Sequence, residues 1–196
     1  MNKDFIADYL DASSRVLNNL DHVALNEIVR VIVSLRERGG RLFILGVGGS
    51  AANAAHAVND FRKLAHIETY APTDNVSELT ARVNDEGWET VFSSWLAGSR
   101  LNENDGVMVF SVGGGDAEKC ISVNLIRALE YAKEKSASII GIVGRDGGVT
   151  AQIADACVII PTENEELVTP LAESYQALIW HMLVSHPEIQ VAPTKW

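Results

Sequence analysis

The sequence predicts an α/β domain, a parallel sheet sandwiched by helices, with a helical extension ahead of it. Three observations carry that expectation. Short apolar runs recur from residue 42 onward. Each is continuous rather than alternating, as in strands covered on both faces. Helix-period patterns lie between them, so consecutive strands are joined by crossovers and run parallel.

Phe5, Ile6, Tyr9, Leu10, Val16, Leu17 and Leu20 recur at spacings of three and four, which predicts a first helix within the first twenty residues. A second covers 25–38, with Ile28, Val29, Ile32, Val33 and Leu35 as its stripe, and Gly39-Gly40 ends it. Strands follow at Leu42–Leu45, 107–110, 139–143 and 157–160, with a weak fifth at 67–70. Helices are expected over 51–64, 76–81, 89–97, 117–133, 149–154 and 168–184. The chain reads as one domain, 1–196, with helices in 1–40 and the α/β core in 41–196.

Composition fits this reading. The chain has 196 residues, 47% of them hydrophobic, which excludes a largely disordered polymer and supplies a substantial core. Sixteen Lys+Arg against 26 Asp+Glu leave a net charge of −10, a repulsive average field for nucleic acid. No apolar run approaches the roughly 18 residues of a spanning helix. The opening MNKDFIADYLD carries acids where a signal peptide needs a basic flank. The expectation is a soluble cytoplasmic protein with no membrane or nucleic-acid partner. Cys120 and Cys157 make neither a disulfide framework nor a metal spacing. Both read as core thiols, Cys157 in an apolar run and Cys120 on the helix expected over 117–133.

Parallel sheets bind ligands at the carboxyl ends of their strands, where strand order reverses. The first strand runs into Gly46-Val47-Gly48-Gly49-Ser50 and then a helix, whose free N–H groups suit an anion, with Ser50 as cap or phosphate ligand. The spacing matches neither a P-loop nor a dinucleotide fingerprint, and a tight turn explains it equally well. A later strand ends in Ser111-Val112-Gly113-Gly114-Gly115-Asp116. Two such loops in one domain point to a pocket for a phosphorylated or polyhydroxylated small molecule. Asp116 reads as the cap of the next helix, and its charge repels phosphate unless Lys119 or Arg62 offsets it. Gly144-Arg145-Asp146-Gly147-Gly148 reads as a turn without chemistry.

His56 and Asp60 are four apart and share a helix face, a pairing that suits a divalent metal, zinc first, although an ordinary helix pair is the simpler account. Glu173 and His181 lie eight apart, two turns and a rise of about 12 Å. They reach one ion only by leaning together; otherwise they act in different subunits, or one is not a ligand.

The succession Gly46–Ser50, His56-x3-Asp60, Asn84-Asp85, Ser111–Asp116, Gly144–Gly148 and Glu173-x7-His181 resembles the sugar isomerase (SIS) domain, and within it the phosphoheptose (sedoheptulose 7-phosphate) isomerases. The resemblance covers nearly the whole chain. It implies a flavodoxin-like core, a cytoplasmic homotetramer with active sites between subunits, and a bound divalent metal, commonly zinc. It implies interconversion of sedoheptulose 7-phosphate and D-glycero-D-manno-heptose 7-phosphate through an enediol, feeding heptose into surface polysaccharide. By position, His56, Asp60, Glu173 and His181 hold the metal, and Asp60 and His181 are the acid/base pair. Val47, Gly48, Gly49, Ser50, Asn84, Asp85, Ser111, Val112, Gly113, Asp116 and Glu173 line the substrate site. Four kinds of departure stand out. Asp60 replaces a usual glutamate, Glu173 a glutamine, and Val47 an asparagine, while Val112, Gly113 and Asp116 replace residues with phosphate-binding hydroxyls. Two alternatives remain open. One is a non-catalytic SIS module that binds sugar phosphates or a replication initiator; the other is an isomerase of another sugar phosphate.

Overall fold

The structure, a computed structural model, describes residues 4–194. Residues 1–3 and 195–196 of the expected domain lie outside that range. Two N-terminal helices, α1 (Phe5–Asn18) and α2 (His22–Glu37), precede β1 (Leu42–Leu45). Then come α3 (Gly49–Leu64), β2 (Thr69–Tyr70), α4 (Val76–Glu86), α5 (Val91–Gly98) and β3 (Gly106–Ser111). The chain continues through α6 (Val123–Glu134), β4 (Ser138–Val143), α7 (Gly148–Ile153), β5 (Ala156–Ile159) and α8 (Val168–Val184). Asp4 and Asp21 cap the first two helices, accepting from Ala7 N and from Val23 and Ala24 N.

All strand pairs are parallel and the order is β2-β1-β3-β4-β5. The weak run at 67–70 contributes only the two-residue edge strand β2. Order reverses between β1 and β3, so a crevice opens where Gly46–Ser50 and Ser111–Asp116 leave the sheet.

The central strands β1, β3 and β4 are buried on both faces, as their unbroken apolar runs require, while the edge strands β2 and β5 each leave one residue exposed. Ile44, Met108, Phe110, Ile140 and Ile142 face a core built with α1, α2, α3 and α8. Phe43, Leu45, Val107, Val109 and Ile139 face a second core with α5 and α6. The opposite end of the sheet is tied by Arg41, which reaches the buried Asp105 through Nε at 3.1 Å and Nη2 at 2.6 Å. That carboxylate also accepts from the Arg41 and Asn102 amides.

The helix expected over 117–133 starts six residues late. Asp116 and Ile121 exchange backbone bonds across a tight turn, so Asp116 caps no helix. Cys120 sits in that turn with φ of 53° and is exposed, not a core thiol.

Candidate active site

β1 ends at Leu45, and Gly48, with φ of 63°, reverses the chain into α3. The first turns of α3 are rich in alanine and glycine, which lets α8 lie close alongside. The two helices run in the same direction. The Glu173 carboxylate packs on Gly49, where a Cβ would lie 2.3 Å from its Oε2. One turn on, Asn53 donates to the Glu173 carbonyl at 2.9 Å and to Gln176 Oε1 at 3.2 Å. Next, the His56 ring meets Trp180 edge-on at 4.7 Å and His181 at 5.6 Å.

At the end of this seam His56, Asp60 and His181 converge, and one ligand atom from each lies within 4.8 Å of the others. Asp60 is 4% exposed and accepts from Asn59 Nδ2 at 2.8 Å, while both imidazoles are open. His181 Nδ1 lies 2.7 Å from the Ala177 carbonyl. A carbonyl only accepts, so Nδ1 carries the proton and Nε2 is left with its lone pair. Two imidazoles and a carboxylate are donors that suit a divalent ion, and these residues fit one.

Glu173 does not join that group. It stands two turns back along α8, at the head of α3, because the helical rise between it and His181 is not bridged by leaning side chains. The fourfold ligand set expected from sequence is therefore a threefold one within the chain.

A cleft of about 1190 Å³ opens at the strand ends. Val47, Ser50, Ser111, Val112, Gly113 and Asp116 line it, six of the expected substrate residues. Gly48 and Gly49 stand exposed beside it at the head of α3. Asn84 and Asp85 are exposed at the end of α4, bonded to each other at 2.7 Å, and border neither the cleft nor the three-residue cluster. His56, Asp60 and His181 do not line the cleft either; His56 lies about 10 Å along α3 from its first residue.

Several polar groups of the cleft's loops are already engaged with one another. Ser111 Oγ accepts from Gly114 N at 3.0 Å. The first amides of α7, Val149 and Thr150, donate to the Gly115 and Gly114 carbonyls, and Thr150 Oγ1 adds a 2.7 Å bond to Gly114. Gly114 tolerates this only without a side chain, since its φ is 70° and a Cβ would sit 1.9 Å from the Gly147 carbonyl oxygen. Lys119 binds Asp116 at 2.9 Å, which holds that carboxyl below its usual range. It is the cation that offsets Asp116; Arg62 instead lies over Tyr70.

Sequence reasoning gave Arg145 no role, yet it lines the cleft. Its signal was available: one cation flanked by glycines at a strand end.

A family model described as "SIS domain" matches residues 5–144. A lincomycin biosynthesis protein of Streptomyces lincolnensis is 32% identical, over 92% of this chain and 68% of that protein. A probable phosphoheptose isomerase of Thermoplasma volcanium is 31% identical, over 92% of this chain and 89% of the relative. The solved phosphoheptose isomerase of Francisella tularensis superposes with a TM-score of 0.81, at 24% identity, covering 94% of this chain and 97% of that one. Strand order, the two glycine loops and these matches agree: the chain belongs to the SIS domain family.

Proposed function

We propose that this protein is an aldose–ketose isomerase that interconverts sedoheptulose 7-phosphate and D-glycero-D-manno-heptose 7-phosphate. The observation that carries the reading is the convergence of His56, Asp60 and His181 where α8 packs on the helix that leaves the glycine loop. The Thermoplasma volcanium relative and its name support the same substrate.

Moving a carbonyl between adjacent carbons requires a base for the carbon-bound proton and a donor for the neighbouring oxygen. Asp60 and His181 form that pair. His181 Nε2 takes or returns one proton, because Nδ1 is held by Ala177. Asp60, oriented by Asn59, handles the other. Its burial keeps water from competing for that proton. A divalent ion, with zinc the candidate, would be held by His56, Asp60 and His181 and would supply Lewis-acid polarisation of the substrate. Glu173, between cleft and cluster, accepts hydrogen bonds from the sugar's hydroxyls. Asn84 and Asp85 reach substrate in a neighbouring copy's site, within a cytoplasmic homotetramer of these single-domain chains. That arrangement is supported by the separation of cleft and cluster residues within one chain.

A second reading keeps the chemistry and changes the sugar phosphate. It is favoured by the phosphate loop, where Val112, Gly113 and Asp116 stand, and by the relative from lincomycin biosynthesis. A regulator without catalysis needs no proton-transfer groups, so the His–Asp–His cluster counts against it.

The test is turnover of sedoheptulose 7-phosphate beside a panel of ketose phosphates. His181→Ala and Asp60→Asn are each expected to lower kcat/KM by roughly 10²–10⁴-fold. Wild-type turnover in both variants overturns the assignment, and preference for another ketose phosphate selects the second reading.

A further inference from the structure

The cleft raises a problem of charge. Asp116, Glu118, Asp146 and Glu165 line it, against two cations, Lys119 and Arg145. Its average field does not draw an anion. In the loop that ends β3 the Gly114 amide is taken up by Ser111 Oγ, whose O–H is the loop's one side-chain hydroxyl donor, and the first amides of α7 are bonded to Gly114 and Gly115. A phosphoryl group held here needs a discrete, directional donor.

Arg145 has the properties of one. It leaves β4 on a different loop from Lys119, and the two reach the same cleft. The Arg145 stem lies along Gly113, where a Cβ would be 3.4 Å from its Cδ, so the guanidinium is carried over the glycine loop. Among the described residues it makes no ion pair and no side-chain hydrogen bond, although an aspartate follows it directly. Its backbone sits at φ of 54°, a left-handed position in a loop otherwise rich in glycine. A non-glycine residue there costs of order 1–3 kcal/mol and is retained where its side chain is needed. Guanidinium meets phosphate through two parallel N–H bonds, which a lone ammonium cannot supply.

We propose that Arg145 is the phosphoryl-recognising residue of this cleft, with Lys119, positioned by Asp116, as the second cation. The inference deepens the isomerase reading and rests on its substrate class, a phosphorylated sugar. It assigns the anion to charged side chains of two strand-end loops in place of hydroxyls on one. Lys119 exchanges one acidic partner for another when substrate enters, while Arg145 gives up none.

The experiment compares wild type, Arg145→Gln and Arg145→Lys in steady-state turnover of sedoheptulose 7-phosphate and in inhibition by inorganic phosphate. Arg145→Gln is expected to raise KM and the phosphate inhibition constant at least fivefold, with kcat within threefold of wild type. Arg145→Lys restores charge without the fork and is expected to remain at least threefold weaker than wild type; it carries the test alone if Arg145→Gln does not fold. Smaller changes in both constants overturn the proposal, as does a loss confined to kcat. If the wild type turns over no sugar phosphate, phosphorus NMR titration with inorganic phosphate decides separately. Binding that is lost in Arg145→Gln sustains the inference while the isomerase reading falls, and equal binding in both overturns it.

Discussion

Burial divides the two thiols of this chain into different reagents. Cys157, on β5, is pushed up to about 11 by burial, so it is neutral and unreactive near neutral pH. Cys120 projects from the turn at the mouth of the cleft. A chromogenic disulfide at pH 8 is expected to label one thiol rapidly in the native protein and two after denaturation; two rapid equivalents contradict the assigned burial. Linkage gives the sign of the pH effect. The folded value is raised above the ordinary 9.0, so folding favours the protonated form, and the contribution is complete below about pH 9 and lost as pH climbs toward 11. Melting curves across that range are expected to fall for wild type and to flatten for Cys157→Ala. Sequence placed the apolar surroundings of Cys157 correctly, because five consecutive apolar residues leave a strand few other places. It misplaced Cys120, because Asp116 looks like a helix cap and its pairing with Lys119 and Ile121 is not visible as periodicity.

At the scale of elements, the α3–α8 seam decides whether the cluster forms. Gln176 is fully buried, and among the described residues its Nε2 has no partner and its one side-chain tie is the bond from Asn53. Asn53→Ala removes that bond and the one to the Glu173 carbonyl, leaving a buried amide without partners. The expected cost is about 2 kcal/mol, a fall in Tm of roughly 4–8 °C. Adding Gln176→Leu replaces both polar groups by apolar ones and is expected to restore most of that loss. A double variant as unstable as the single one shows that the bond is not what joins the helices. The strands and most helices were legible because burial on two faces writes continuous runs, and burial on one face writes a three-and-four spacing. The pairing of His56 with His181 came from the family resemblance and not from spacing, since it depends on how close α3 and α8 approach. The alanines of α3 hint at that approach without setting its register. Sequence spacing, two turns of helix, still allowed Glu173 and His181 to share an ion by leaning together; the packing of the Glu173 carboxylate against Gly49 shows that it does not lean toward the cluster.

For the molecule as a whole, α1 poses the remaining question. Ala12 and Val16 bury against the core, but Phe5, Ile6 and Leu10 stand 64–70% exposed, with Leu17 continuing the same outward stripe. On α8, Leu178 and Met182 flank the exposed His181 in the same way. Grouped apolar side chains in water mark association surfaces. The net charge of −10 opposes nonspecific clumping while leaving a matched apolar contact free to form. The homotetramer proposed above would use these surfaces, and it would give the separated cleft and cluster a way to meet, one from each of two copies. Ile6→Glu with Leu10→Glu tests this directly. Both side chains are already solvated in the single chain, so helix content is expected to persist by circular dichroism. Light scattering is expected to show a smaller species than wild type, and kcat/KM on sedoheptulose 7-phosphate is expected to fall at least tenfold with it. Unchanged mass removes α1 from the interface. A smaller species that keeps full turnover shows that each chain completes its own site, and cleft and cluster must then be joined by closure within one subunit.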